Sequence, residues 1–238
     1  MQPYYSRTAM LIGEAGIARL KNARVALFGL GGVGSFTAEA LARAGVGQLL
    51  LVDDDVIAPS NLNRQIFALE STIGQPKALV AKRRIGDINP SIAVDARVMR
   101  YEAITADAFD FEGFDYIVDA IDSVTSKLLL IQRAREAGVP ILCCMGTGNK
   151  LDPMAFRVGD IEETRGCPLA RVMRRELRKR GIESVRVVWS PEPPKPAIGE
   201  LEETAPGRRA LPGSISFVPA AAGLLCAAEA VRCILNKT

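Results

Sequence analysis

Asp53, Asn61, Arg64 and Lys77 follow a glycine turn, Gly29-Leu30-Gly31-Gly32-Val33-Gly34, and these residue types suit chemistry at a phosphate. The glycines permit a tight turn and close backbone approach, and a helix N-terminus beyond them offers unpaired N–H groups and the positive end of a dipole. A glycine turn alone signals only nucleotide binding. Fixed cations beside it are what a reacting phosphate needs, because they hold the charge that builds up in the transition state.

The elements that must position these groups are legible around them. Residues 24–28 form a continuous apolar run suited to a buried parallel strand, and 33–44 carries Ala and Leu at helical spacing. A second apolar run, 48–52, ends in Asp53-Asp54-Asp55, where an acid grips ribose hydroxyls. Such a unit also fits a nicotinamide-dependent dehydrogenase. However, the chain has 0 His in 238 residues, which removes the usual proton-transfer group, the Ser-His-Asp arrangement and histidine-ligated metals.

Further along, the pattern predicts one or two short helices over 4–20 and a loop or short helix over 55–65 that lifts Asn61 and Arg64 above the strand ends. A helix over 75–88 stops at Asn89-Pro90. A third strand is expected at 93–98, a short helix at 105–111, a fourth strand at 116–120, a helix at 123–137 closed by Gly138, and a fifth strand at 140–145. Two more strands, at 154–158 and 184–189, are expected as antiparallel additions, with a closing helix over 219–235. The alternation implies an α/β fold: a doubly wound, Rossmann-like, mainly parallel sheet with antiparallel additions in the C-terminal part. We expect one domain over 1–238, with a nucleotide-binding half at 1–150 and a C-terminal extension at 151–238. Pro191, Pro193, Pro194, Pro196 and Pro206 predict a mobile loop over about 190–212, where a substrate lid could sit.

Composition is that of a soluble globular protein, 48% hydrophobic and 24% charged. The most apolar stretch, 217–228, is short and alanine-rich and reads as a core helix rather than a membrane span. With no secretion-type N-terminus and 5 scattered Cys, the expected address is cytoplasmic, with no membrane partner. No C-x-x-C pair is present to build a structural zinc site. Net charge is only +3, but Arg171, Arg174, Arg175, Arg178, Lys179 and Arg180 crowd one predicted helix, which reads either as a track for RNA phosphates or as a solvated face.

Asp53-x-Asp55-x-x-x-x-Ser60-Asn61-Leu62-Asn63-Arg64-Gln65, Gly74-Gln75-Pro76-Lys77 and Asp119-Ala120-Ile121-Asp122-Ser123 together resemble the adenylating fold of the ThiF/MoeB/HesA proteins and ubiquitin-activating enzymes. The resemblance runs from about residue 5 to 160. From Met145 onward, Gly148-Asn-Lys-Leu-Asp-Pro153, Cys167-Pro-Leu-Ala-Arg-Val-Met-Arg-Arg-Glu-Leu and Leu211-Pro-Gly-Ser-Ile-Ser-Phe-Val-Pro219 are similar to the branch of tRNA threonylcarbamoyladenosine dehydratases. The missing C-x-x-C pairs also set the chain apart from the sulfur-carrier activators.

The resemblance implies an ATP-dependent cyclodehydratase that adenylates the threonine carboxylate of N6-threonylcarbamoyladenosine in the tRNA anticodon loop and closes it to a ring. Its implied ATP site comprises Gly29, Gly31, Gly32, Gly34, Asp53, Asp55, Ser60, Asn61, Arg64, Gln65, Lys77, Asp122, Ser123 and Lys127. Arg64 and Lys77 would stabilise the phosphate charge, and Asp122 would hold magnesium. Asp119, earlier in its strand, would support the loop. Lys127 reads as a partner for Asp122 or for phosphate, or as a plain surface lysine. Arg7, in Tyr5-Ser6-Arg7, matches an arginine that in the family reaches the partner's ATP site, which implies a homodimer; a solvated terminal charge is its plainer reading. A monovalent cation and a cysteine-desulfurase or sulfur-acceptor partner are further expectations of the branch, and tRNA is the implied substrate, with Arg171, Arg174, Arg175, Arg178 and Lys179 touching it.

Two rivals stay open at this point: adenylation of the C-terminal carboxylate of a ubiquitin-like or sulfur-carrier protein, and a nucleotide-binding module without catalysis. A cysteine thioester is a further option for the second step. Some relatives carry a cysteine just before the final helix, where this chain has Ala210-Leu211-Pro212-Gly213-Ser214. Cys143, Cys144, Cys226 and Cys233 fall in expected core elements, and Cys167 in a loop before the basic helix.

Overall fold

Short apolar runs buried on both faces are the demand a parallel sheet makes on its strands, and they set the frame here. The computed structural model describes residues 3–196, 198 and 212–236. Arg24–Phe28 (β1), Gln48–Val52 (β2), Ala93–Arg97 (β3), Tyr116–Asp119 (β4), Ile141–Cys144 (β5), Arg157–Asp160 (β6) and Arg186–Trp189 (β7) form one sheet in the order β3-β2-β1-β4-β5-β7-β6. The chain winds outward from β1 through β2 to β3, then returns to lay β4 on the other side of β1. That reversal opens a crevice at the strand C-termini. The register keeps its walls level, with Phe28 opposite both Val52 and Asp119. Gly29, Asp53 and Ala120 therefore all lie one step beyond the strand ends.

Among the described residues, six helices flank the sheet: Ser6–Asn22 (α1), Gly34–Ala44 (α2), Lys77–Ile88 (α3), Val124–Glu136 (α4), Pro168–Arg178 (α5) and Phe217–Asn236 (α6). The alternation of side chains along a strand divides the core. Val25 and Leu27 join Leu41, Ile85, Cys226 and Ile234 on the side of α2, α3 and α6. Ala26 and Phe28 face the other way, onto Tyr101, Phe109, Phe111 and Leu130. A third cluster, including Cys143, Met173, Leu177 and Trp189, seats α5 on the far part of the sheet.

Several elements differ from the sequence expectation. α1 itself agrees with the one or two helices expected there, being two helical segments that meet at a non-helical Gly13, where φ is 70°. Residues 106–108 make only one 3-10 turn. Of the two expected antiparallel additions, β6 alone is antiparallel; β7 pairs parallel with β5, so the two halves of the chain share one sheet. β6 starts at Arg157 because Pro153–Ala155 forms a 3-10 turn capped by Asp152, which accepts the Met154 N–H. Most of the expected loop over 190–212 lies outside the described residues. Its first part is pinned, since the Glu192 carboxylate accepts the N–H groups of Leu151 and Asp152, and Lys195 N–H donates to the Asn149 carbonyl. α6 is long and apolar enough to cross a membrane by length and composition. Here it packs on α2, α1 and the sheet, with Val218, Ala222, Cys226, Ala230 and Ile234 in the core.

Candidate nucleotide site

The glycine turn is built so tightly that backbone fills the places side chains would take. Gly29 has φ of 89°, and a Cβ there would meet the Ala120 carbonyl oxygen at 2.6 Å. A Cβ on Gly34 would fall 1.8 Å from the Gly29 carbonyl oxygen. Gly31 differs: its nearest neighbour would be Gln65 Nε2 at 3.9 Å, so the space above it is open to a ligand. The turn lines a cavity of about 590 Å³ together with Asp53, Asp54, Asp55, Ser60, Asn61, Arg64, Gln65, Lys77, Asp122 and Ser123. The N-termini of α2, α3 and α4 contribute Gly34's turn, Lys77 and Ser123, so three helix dipoles favour negative charge here.

Asp53 bridges the two walls. Its Oδ2 accepts the Leu30 N–H at 2.6 Å and its Oδ1 the Asp55 N–H at 2.9 Å. Burial raises its pKa, opposed first by Lys77 and then by those two N–H groups. A carboxylate has about four lone-pair sites, so capacity remains for ribose hydroxyls. Lys77 Nζ contacts Asp55 Oδ2 at 2.6 Å and Asp53 Oδ1 at 4.0 Å. Asn61, which lines the cavity, spends its Oδ1 on the Ala58 N–H at 3.1 Å.

Arg64 is held by the Ser60 carbonyl at 2.7 Å and Asn63 Oδ1 at 2.9 Å. Among the described residues it has no carboxylate partner, and burial pulls its pKa down from the ordinary value. A guanidinium stays charged even so. Asp122 is exposed on the rim, likewise with neither ion pair nor side-chain hydrogen bond among the described residues. A free carboxylate beside a phosphate cradle is the donor that magnesium takes, since the ion keeps most of its waters and needs only one or two protein oxygens. The residues therefore fit that ion.

One expected position needs correction. Lys127 does not reach the cavity. It is 0% exposed, with Nζ 3.1 Å from Asp119 Oδ2 and donating to the Cys144 carbonyl at 2.8 Å. Burial lowers its pKa but Asp119 more than restores it, so the net direction is upward. Ser123 lines the cavity as expected and also serves as the N-cap of α4, its Oγ accepting the Ser126 N–H at 3.4 Å. On α5, Arg174 is structural, its guanidinium donating to the Thr164 carbonyl and hydroxyl. Arg178 pairs with Glu162, while Arg175, Lys179 and Arg180 converge on Glu176. Of the five expected RNA contacts, Arg171 and Arg174 have no ion pair among the described residues, and Arg171 alone has no side-chain hydrogen bond there either. Arg7 is exposed on α1 and is not part of this chain's own cavity. Asp119 does support the loop, accepting the Ile121 N–H at 3.0 Å.

The cavity also includes Met99, Arg100, Tyr101, Thr147, Ser214 and Pro219, which motif reading did not single out. Met99–Tyr101 follows β3 and Thr147 follows β5, so the rule that ligands gather beyond strand C-termini would have flagged them. The thiols of Cys143 and Cys226 are pushed well up, Cys143 mainly by burial and Cys226 by its Cys144 contact and burial, so neither is a ready thiolate. Cys167 is buried at the N-cap of α5.

A model of the ThiF family matches residues 5–238. The tRNA threonylcarbamoyladenosine dehydratase of Bacillus subtilis (strain 168) is 42% identical over 240 residues, 98% of this chain and 94% of the relative. The crystal structure of E. coli tRNA N6-threonylcarbamoyladenosine dehydratase, TcdA, in complex with ATP superposes with a TM-score of 0.86 at 32% identity, covering 97% of this chain and 93% of that one. The same enzyme in complex with AMP gives 0.85 at 32% identity, covering 96% and 92%. Glycine turn, paired lysine, unpaired arginine and rim carboxylate thus occur in a chain that matches the family model almost from end to end, and the protein belongs to the ThiF family.

Proposed function

We propose that this chain is an ATP-dependent tRNA threonylcarbamoyladenosine dehydratase, a single-domain enzyme working through an acyl-adenylate. The observation that carries the reading is Arg64: a half-buried guanidinium lining the cavity without a carboxylate to satisfy it among the described residues. Such a cation is held ready for an anion that arrives with the substrate.

In the first step the threonine carboxylate attacks the α-phosphorus of ATP, forming the mixed anhydride and releasing pyrophosphate. Arg64 and Lys77 bind the phosphate oxygens, the glycine turn supplies backbone N–H groups, and Asp53 and Asn61 orient the ribose. Asp122 would hold magnesium, which supplies charge neutralisation at the phosphates when bound. In the second step a nucleophile within the carbamoyl group displaces AMP, which carries off the carboxylate oxygen as the ring closes. Intramolecular attack needs no enzyme nucleophile, since proximity alone is worth about 7 kcal/mol or more. The burial of Cys143 and Cys226, whose thiols are both pushed up, agrees with this direct route.

The exposed Arg7, which does not line its own cavity, suits a homodimer in which it serves the neighbouring site. A tRNA substrate suits work in the cytoplasm. The deciding test is ATP–pyrophosphate exchange by the purified chain. Exchange should depend on tRNA bearing threonylcarbamoyladenosine and be absent with unmodified tRNA. Exchange driven instead by a protein ending in Gly-Gly would make the chain a carrier-protein activator.

A further inference from the structure

Lys127 is a fully buried cation that the adenylation chemistry does not use. An ammonium group at 0% exposure is costly to desolvate, and it persists only where its partners are well placed. Those partners belong to two different strands. Asp119, the last residue of β4, meets Nζ through Oδ2 at 3.1 Å, and the carbonyl of Cys144, the last residue of β5, accepts from Nζ at 2.8 Å. Lys127 is the one cation paired with Asp119 among the described residues, and the buried Cys143 thiol lies against the same carboxylate.

Each strand end leads directly into a wall of the cavity. The other oxygen of Asp119 accepts the Ile121 N–H at 3.0 Å, one residue before Asp122 on the rim. Cys144 is followed by Met145, Gly146 and then Thr147, which also lines the cavity. The loop after β4 in turn presses on the glycine turn, because its Ala120 carbonyl stands where a Gly29 side chain would be. A shift of this loop is therefore felt at the phosphate cradle.

We propose that Lys127 is a positioning residue: paired with Asp119 and bonded to the Cys144 carbonyl, it holds the loops after β4 and β5, and with them Asp122 and Thr147, at the spacing the nucleotide requires. It acts through Asp119 and touches no phosphate. The inference rests on the reading that the cavity holds ATP with magnesium.

The test is a double-mutant cycle read as ATP affinity by calorimetry in magnesium, with thermal unfolding alongside. Lys127→Met alone leaves Asp119 buried without a counter-charge, so its melting temperature should fall. Lys127→Met combined with Asp119→Asn removes both charges, and it should recover most of that stability while binding ATP about tenfold more weakly than the parent. Adding Asp122→Asn should cost about tenfold in the parent and less than about twofold in the charge-free pair, because residues acting as one unit are not additive. A charge-free pair that binds ATP like the parent, or an Asp122→Asn effect of equal size in both backgrounds, reduces Lys127 to a stabilising residue and overturns the proposal. Failure of the parent chain itself to bind ATP would overturn the nucleotide reading instead, and the positioning role with it.

Discussion

Lys77 and Asp55 form a lopsided ion pair: Nζ and Oδ2 stand 2.6 Å apart, the lysine side chain 6% exposed and the aspartate side chain 66%. The ammonium is fixed from below while its acidic partner stands in solvent, so an incoming phosphate can take the place of Asp55 without moving Lys77. Lys77→Ala should therefore lower the rate of adenylation by about 10²–10³-fold, measured as ATP–pyrophosphate exchange. Arg64→Ala should lose a similar factor with a stability cost of only about 1 kcal/mol, since its contacts are two ordinary hydrogen bonds. If either variant keeps the parental rate, that residue has no part in phosphate transfer.

Gly34 and Gly31 separate folding from binding. Gly34→Ala puts a methyl group 1.8 Å from the Gly29 carbonyl oxygen, backbone that has nowhere to move, and should destabilise the chain by about 3 kcal/mol or more. Gly31→Ala meets nothing nearer than 3.9 Å and should unfold within about 0.5 kcal/mol of the parent. Its methyl group enters the space above the turn, so ATP binding should weaken sharply. Denaturant titration and calorimetry on the two variants check both halves of the contrast.

Glu39 gives a pH signature far from the site. Burial alone would raise its pKa, but hydrogen bonds from Arg84 and Arg43 outweigh burial and leave it lowered from 4.5. A carboxylate that is more acidic folded than unfolded contributes stability above the unfolded value, and loses it as pH falls through the folded value. Glu39→Gln should thus cost about 2 kcal/mol at neutral pH and progressively less as the solution is acidified below 4.5. Urea unfolding across that range tests it, and a cost independent of pH would contradict the assignment.

On α5 the expected RNA contacts divide. Arg171→Ala should weaken tRNA binding and flatten its salt dependence by roughly one counterion, because this exposed cation has no acidic partner among the described residues. Arg174→Ala should instead lower the melting temperature with little change in tRNA affinity, since that guanidinium is engaged at Thr164. Equal effects of the two on binding would mean that the ion pairs on this helix open readily for RNA.

Much of the fold was legible because β1, β2, β4 and β5 are buried on both faces and bounded by glycine or by helix starts. The phosphate-facing residues were legible as well, since Asp53, Asn61, Arg64 and Lys77 are tied to strand ends and a helix start whose positions the pattern fixes. What failed was pairing at a distance. Nothing local distinguishes Lys127, directed into the core, from a lysine directed at phosphate; the difference is Asp119 and the Cys144 carbonyl, brought in by neighbouring strands. The direction of β7 was misread for the same reason, because a short apolar run does not declare which way its neighbour points. On α5 the pair of Arg178 with Glu162 is likewise out of local reach, whereas Glu176 meets Arg175, Lys179 and Arg180 within the same stretch of chain.

The strand order carries a consequence for how such a chain can diversify. Most groups that grip the nucleotide hang from β1, β2 and β4 or the helices that follow them, whereas α5, β6 and β7 occupy the opposite flank. Insertions or exchanges on that flank can retarget the acceptor while the fuel-burning machinery stays untouched, so one engine can be fitted to unrelated cargo.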